Sequence, residues 1–119
     1  MNKDSLLGVW TGMVGDNDGW DMKITLSILQ PLEIGSRLGI FNIPMLPCSG
    51  TFRVVSVHDE TIELQAENLQ GECREADSDS LELLPDGTLQ YVSKGKGWET
   101  RGILQRANSD GPLFSKENG

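Results

Sequence analysis

Residues 20–29 read WDMKITLSIL, and apolar side chains occupy every second position of this stretch. Successive side chains of a β-strand point to opposite faces, so this alternation predicts a strand with one face in a core and the other in solvent. The predicted core face consists of Trp20, Met22, Ile24, Leu26 and Ile28.

The same period-two pattern recurs along the chain, whereas no window keeps apolar residues at helical spacing for more than about two turns. The sequence therefore predicts an all-β protein with eight strands. The predicted strands are residues 6–13, 20–29, 36–43, 50–57, 61–69, 80–84, 89–93 and 98–106.

Three of the connections between these strands carry turn residues, namely DNDG at 16–19, PDG at 85–87 and GKG at 95–97. Tight turns favour an eight-stranded antiparallel up-and-down meander, and closure into a small barrel removes unpaired edges. A two-sheet β-sandwich is the alternative, because strand count and turn spacing do not specify closure. With 119 residues the chain suits one domain, predicted at 1–106, followed by a polar tail, 107–119, predicted to be disordered.

The chain has a net charge of −8, and residues 59–86 hold ten acidic side chains and one basic one. This charge argues against binding to nucleic acid or to an anionic membrane surface. We interpret the acidic third as a solvated face, including Asp77 and Asp79, which lack the preorganised cage of a cation site. No apolar run approaches a membrane span and the start does not resemble a signal peptide, so we expect a cytoplasmic protein.

The sequence contains no recognisable catalytic or metal-binding signature. His58 is the sole histidine and falls at a predicted turn, and no nucleophile-elbow motif occurs. Two cysteines and one distant histidine do not supply four zinc ligands at paired spacings. We therefore predict a non-enzymatic protein without a cofactor or a metal.

Cys48 and Cys73 are the two cysteines. A hairpin that turns at residues 58–59 would place Cys48 opposite approximately Leu69, so both thiols would lie at the same end of that hairpin. A disulfide is geometrically reasonable there, although cytosolic thiols are usually reduced. Both states remain open, and a structural disulfide would indicate an exported protein.

Large apolar side chains near the strand ends are the candidate binding residues. Trp10, Trp20 and Trp98 lie near strand ends, where they either plug a barrel or line its mouth. The segment FNIPMLP at 41–47 contains two prolines and forms either a floor under the barrel or an exposed apolar lip. The candidate interface residues of such a lip are Phe41, Ile43, Met45 and Leu46.

The opening LGVWTG at 7–12 looks like the Gly-x-Trp signature of the calycin superfamily, which includes lipocalins, fatty-acid-binding proteins and avidins. The chain is more similar to small bacterial lipocalin-like β-barrel domains of uncharacterised function. The similarity covers residues 6–106 and is carried by Ile43-Pro44, CSG at 48–50, Cys73, LLPDGTLQY at 83–91, Trp98 and GIL at 102–104.

This resemblance implies an antiparallel barrel whose first-strand Trp10 packs across one end. A basic residue covers that ring in lipocalins, and Arg106 would take this role here through a cation–π contact. The paired cysteines of the bacterial domains favour a disulfide between Cys48 and Cys73. The resemblance does not extend to biotin binding, because Met13-Val14-Gly15 replaces the polar ligands of avidins.

Two functions are compatible with these observations. The first is a small barrel that binds a small apolar or amphipathic molecule through inward-facing large side chains, which are Trp20, Met22, Phe52, Tyr91 and Trp98. The second is a closed, packed barrel that serves as a protein-interaction or oligomerisation module, with a homo-oligomer as one form of it.

Overall fold

The computed structural model describes residues 2–17, 19 and 21–107. Eight antiparallel strands follow one another in order and form a closed barrel. Because β1 also pairs with β8, the barrel prediction is confirmed and the sandwich alternative is wrong. The strands are β1 (Gly8–Asp16), β2 (Asp21–Ile28), β3 (Arg37–Ile43), β4 (Cys48–His58), β5 (Thr61–Gly71), β6 (Ser78–Leu83), β7 (Leu89–Gly95) and β8 (Trp98–Arg106).

The core consists of alternate side chains that point into the barrel. On β2 the four buried residues are Met22, Ile24, Leu26 and Ile28, as the alternation predicts. The residues between them on β2 are exposed or half-buried, so this strand has one apolar and one solvated face. Trp20, the remaining member of the predicted core face, lies outside the described residues.

Two glycines allow β1 and β8 to approach each other closely where the barrel closes. A Cβ atom on Gly12 would lie 2.2 Å from the Ile103 carbonyl oxygen, and one on Gly102 would lie 2.2 Å from that of Met13. Atoms cannot approach so closely, so any larger residue would push the two strands apart. Glycine at these positions is therefore a requirement of closure rather than of strand propensity.

The strand connections divide between two ends of the barrel. The closed end carries the N-terminal residues 2–7 and the connections 29–36, 59–60 and 84–88. The cavity end carries the connection between β1 and β2 and the connections 44–47, 72–77 and 96–97. The two ends differ in their chemistry, as described below.

Trp10 blocks the closed end. Its side chain is 1% exposed, and its indole N–H donates a hydrogen bond of 2.9 Å to the Leu6 carbonyl. The guanidinium of Arg106 lies 4.4 Å from the centre of the indole ring and donates to the carbonyls of Leu7 and Ser5. These are the two residues for which the lipocalin resemblance implies a cation–π contact.

The chain leaves the barrel from the closed end. The Ala107 amide donates a hydrogen bond of 2.8 Å to the Val9 carbonyl and so continues the pairing of β8 with β1. The rest of the predicted tail, 108–119, lies outside the described residues. Within the described part of the chain, no helix is long and apolar enough to cross a membrane.

Candidate functional site

A row of polar side chains crosses the inner wall at the cavity end. Asp79 on β6 pairs with Ser93 on β7, Ser93 pairs with Thr100 on β8, and Thr100 pairs with Asp16 on β1. All four side chains are buried, with Asp79 5% exposed and the Asp16 side chain 3% exposed. Four neighbouring strands therefore contribute one polar residue each at the same level of the barrel.

The position of Asp79 corrects its interpretation as a surface carboxylate. β6 alternates between exposed and inward positions, and Asp79 shares the inward face with the buried Leu81. The residues beside it in the acidic third, such as Asp77 and Glu82, are exposed. The period-two pattern would have revealed this burial if the predicted strand had begun before residue 80.

Asp79 is buried among hydroxyl groups. Burial raises the pKa of the Asp79 carboxyl group, and hydrogen bonds from Ser93 and Tyr91 partly oppose that rise. The Tyr91 hydroxyl donates to Asp79 Oδ1 at 3.5 Å, a long hydrogen bond. Burial and the negative charge of Asp79 raise the pKa of Tyr91 far above its usual range, so Tyr91 keeps its proton and acts as the donor.

A cavity of about 50 Å³ lies against this polar row. Aromatic rings form much of its wall, with Phe41 and Phe52 stacked at 4.5 Å between centroids and Tyr91 6.4 Å from Phe52. The volume holds about three water molecules, at roughly 15 Å³ of cavity space for each. The cavity thus combines an apolar wall with a buried carboxyl group and hydroxyls.

Four of the predicted ligand contacts, Met22, Phe52, Tyr91 and Trp98, line this cavity. The fifth, Trp20, lies outside the described residues. The sequence-based set omitted the polar lining residues, which are Arg74, Asp79, Ser93 and Thr100. The omission arose because only large apolar side chains were selected on the inward faces, although the inward positions of β7 and β8 also include Ser93 and Thr100.

Arg74 lies at the mouth of the cavity. Its guanidinium forms an ion pair with the Asp16 carboxylate and lies 4.4 Å from the centre of the Trp98 ring. Arg74 is exposed and Trp98 is half-buried, so this pair lies on the solvent side of the cavity. The opposite charges of Arg74 and Asp16 compensate each other at the mouth.

Cys48 and Cys73 form a disulfide bond beside this mouth, with their Cα atoms 4.9 Å apart. Cys48 pairs across the hairpin with Gly71 rather than with Leu69. The difference arises because Asp59 and Glu60 form the turn, one residue later than predicted. The disulfide joins the start of β4 to the connection between β5 and β6.

The proline-containing segment 41–47 forms a floor at the cavity end. Phe41 and Ile43 are buried and Leu46 is partly buried, and all three line the cavity. The predicted exposed interface therefore does not hold for Phe41 and Ile43, because both side chains point into the barrel. Met45 remains accessible, with 54% of its surface exposed.

No metal centre accompanies the cavity in the part of the chain that the structure describes, since no three His, Cys, Asp or Glu side chains are grouped to bind one. His58 is exposed at the end of β4, on the closed end. It is therefore remote from Asp79 and Tyr91.

In comparisons with known proteins, no family model, curated protein or solved structure matches this chain. The eight-stranded antiparallel barrel is consistent with a lipocalin-like barrel. The cavity and its lining residues are therefore the features of this chain that indicate a function.

Proposed function

We propose that this protein is a non-enzymatic barrel that binds a small amphipathic ligand at the cavity end. The observation that carries the proposal is the buried polar row of Asp79, Ser93 and Thr100 against an aromatic wall. Binding sites for small molecules combine mostly apolar walls with a few placed polar groups, and this cavity has that composition.

The size of the cavity limits what is bound. Sites for drug-sized molecules have volumes of about 300–1,000 Å³, whereas this cavity measures about 50 Å³. The buried part of the ligand is therefore a terminal group of a few heavy atoms, and the remainder extends past the stacked Arg74–Trp98 pair toward solvent.

The proposal includes a calycin-type, bacterial barrel that works in an oxidising compartment. The Gly-x-Trp opening and the Arg106 contact with Trp10 support the calycin relationship. The Cys48–Cys73 disulfide supports export, because structural disulfides persist mainly outside the reducing cytosol.

The test is a nuclear magnetic resonance titration of the full chain with small amphipathic probes, 1-butanol and n-butylammonium. We expect at least one probe to shift the amide signals of Asp79, Ser93 and Thr100. Ala76→Trp fills the mouth, because Ala76 lines the cavity, and should abolish these shifts. Ala107→Trp makes the same change at the closed end and should preserve them.

If no probe shifts the cavity amides of the folded protein, the proposed function is wrong. The same holds if Ala76→Trp leaves the shifts unchanged, since the probe would then bind elsewhere.

A second candidate function is a closed, packed barrel that acts as a protein-interaction or oligomerisation module. The exposed Met45 beside the largely filled interior favours it. Native mass spectrometry without added ligand separates the two candidates. A small co-purifying mass supports ligand binding, whereas a clean multiple of the chain mass that Met45→Lys abolishes supports the module.

A further inference from the structure

We propose that the ligand carries a protonated amino group that pairs with the Asp79 carboxylate inside the cavity. This inference rests on the proposed function and specifies the ligand class as a small organic cation with a short apolar stem. The charges that line the cavity, the contacts of Asp79, the aromatic wall and the acidic connection 72–77 beside the mouth each support it.

The charged side chains that line the cavity leave one carboxylate, Asp79, without an ionic partner. Arg74 is the one basic side chain among the described residues that line the cavity, and it is paired with Asp16. Asp79 contacts the hydroxyls of Ser93 and Tyr91, which are neutral donors. The ionised site therefore has a charge of −1 and is complementary to a single positive charge.

The contacts of Asp79 leave room for an ammonium group. An ionised carboxylate offers about four lone-pair positions, and two hydroxyl donors occupy about half of them. A buried carboxylate without an ionic partner costs free energy, and an ammonium group would remove that cost by supplying both charge and N–H donors. The raised pKa of Asp79 reflects the same unfavourable burial.

The aromatic wall suits the rest of such a ligand. Phe41, Phe52, Tyr91 and Trp98 line the cavity beside Asp79. Aromatic faces attract cations within about 6 Å of their centres and also contact apolar stems. A cation with a short alkyl chain satisfies both properties, whereas a polar anion would meet Asp79 with like charge.

The connection beside the mouth carries more acidic than basic side chains. The connection 72–77 between β5 and β6 exposes Glu72, Glu75 and Asp77 on either side of Arg74. A net negative charge near a binding site raises the local concentration of cationic ligands. The acidic third of the sequence thus has a role in this proposal beyond solvation, but the buried carboxylate provides the selectivity.

The experiment compares three probes of equal length, n-butylammonium, 1-butanol and butyrate, by amide chemical shifts of the full chain at neutral pH. We expect n-butylammonium to bind about tenfold or more tightly than 1-butanol, the usual gain from a charged hydrogen-bonded pair. Butyrate should not shift the signals of Asp79 and Ser93.

Two matched variants locate the charge. Asp79→Asn keeps the shape and removes the buried charge, so n-butylammonium should bind no more tightly than 1-butanol. Asp77→Asn removes one exposed charge two residues away and should change the affinity by no more than about twofold, since exposed charges interact weakly. If Asp79→Asn fails to fold, Tyr91→Phe replaces it, and we then expect the cation preference to persist, because the carboxylate is retained.

The outcomes separate this inference from the proposed function. If 1-butanol binds in the cavity as tightly as n-butylammonium, the amine proposal is wrong and the ligand site stands. If n-butylammonium shifts only the signals of residues 72–77, or if Asp77→Asn weakens it as much as Asp79→Asn, surface attraction explains the binding and the inference is overturned. If no probe shifts the amide signals of the cavity residues, both the amine proposal and the proposed function are wrong.

Discussion

The barrel has an arginine stacked on a tryptophan at each end, and the two pairs have the same separation of 4.4 Å. At the closed end, Arg106 covers Trp10 and donates to two backbone carbonyls of the N-terminal segment. At the cavity end, Arg74 covers Trp98 and pairs with a carboxylate. The same local contact therefore closes one end and borders a cavity at the other.

The difference between the ends comes from what lies beneath each tryptophan. Trp10 rests on an apolar interior, and the fully buried side chains there include Leu6, Leu38, Leu89 and Leu104. Trp98 lies beside Ser93 and Thr100 around the same cavity. An apolar interior can be filled completely, whereas inward polar groups require hydrogen-bond partners and leave space that a ligand or water can occupy.

The largest expected effect is that of removing the two tryptophans in turn. Trp10→Ala should lower the free energy of unfolding by about 3–5 kcal/mol, because it leaves a cavity in a packed core. Trp98→Ala should cost about 1 kcal/mol, since its ring is half-buried and already borders a cavity. Urea unfolding followed by circular dichroism measures both values. Equal losses would show that the two ends are packed alike.

The second largest expected effect on stability is that of removing the disulfide at the cavity end. Replacing both Cys48 and Cys73 by serine should lower the free energy of unfolding by roughly 3–4 kcal/mol, given a sequence separation of 25 residues. Urea unfolding of the double variant against the unreduced protein measures this loss. In this double variant, hydrogen exchange should accelerate at Arg74 more than at Trp10.

Mass spectrometry before and after reduction is the control that the disulfide is present. Reduction should add the mass of two hydrogen atoms to each chain. If the mass does not change, or if the double variant is as stable as the parent protein, the bond does not restrain the cavity end in solution.

The smallest expected effect concerns the pH dependence of stability, where the buried carboxyl group of Asp79 and the half-buried one of Glu67 should respond in opposite directions. Because the folded-state pKa of Asp79 is raised, its contribution to stability falls as pH increases through that pKa. The Arg53 guanidinium lowers the pKa of Glu67, so the contribution of Glu67 is present above its unfolded-state pKa and is lost as pH falls through its folded-state pKa.

Urea midpoints between acidic and neutral pH check these signs. Relative to the parent protein, Asp79→Asn should gain stability as pH rises, by about 1 kcal/mol or less, whereas Glu67→Gln should lose stability. Tyr91 stays protonated throughout this range and does not contribute. A stability difference for Asp79→Asn that does not vary with pH would mean that this carboxyl group is solvated rather than buried.

Much of the fold could be predicted because each strand and its inward face follow from local sequence patterns. The alternation in residues 20–29 identified β2, and three glycine-containing turns separated β1 from β2, β6 from β7 and β7 from β8 near their observed bounds. The inward faces followed from the same alternation, so four predicted contacts line one cavity. Asp79 was misassigned because acidic residues are usually exposed, and in this short strand the alternation prevails over that tendency.

The order of the strands and the identity of their inward faces thus follow from patterns within a few residues, since side-chain direction alternates locally along each strand. The alignment of Asp79, Ser93, Thr100 and Asp16 in one row depends on the pairing of β1 with β8, whose residues are far apart in the chain. The cavity depends further on how side-chain volumes fill the closed interior. Closure and packing are properties of all eight strands together, so they exist only in the folded barrel.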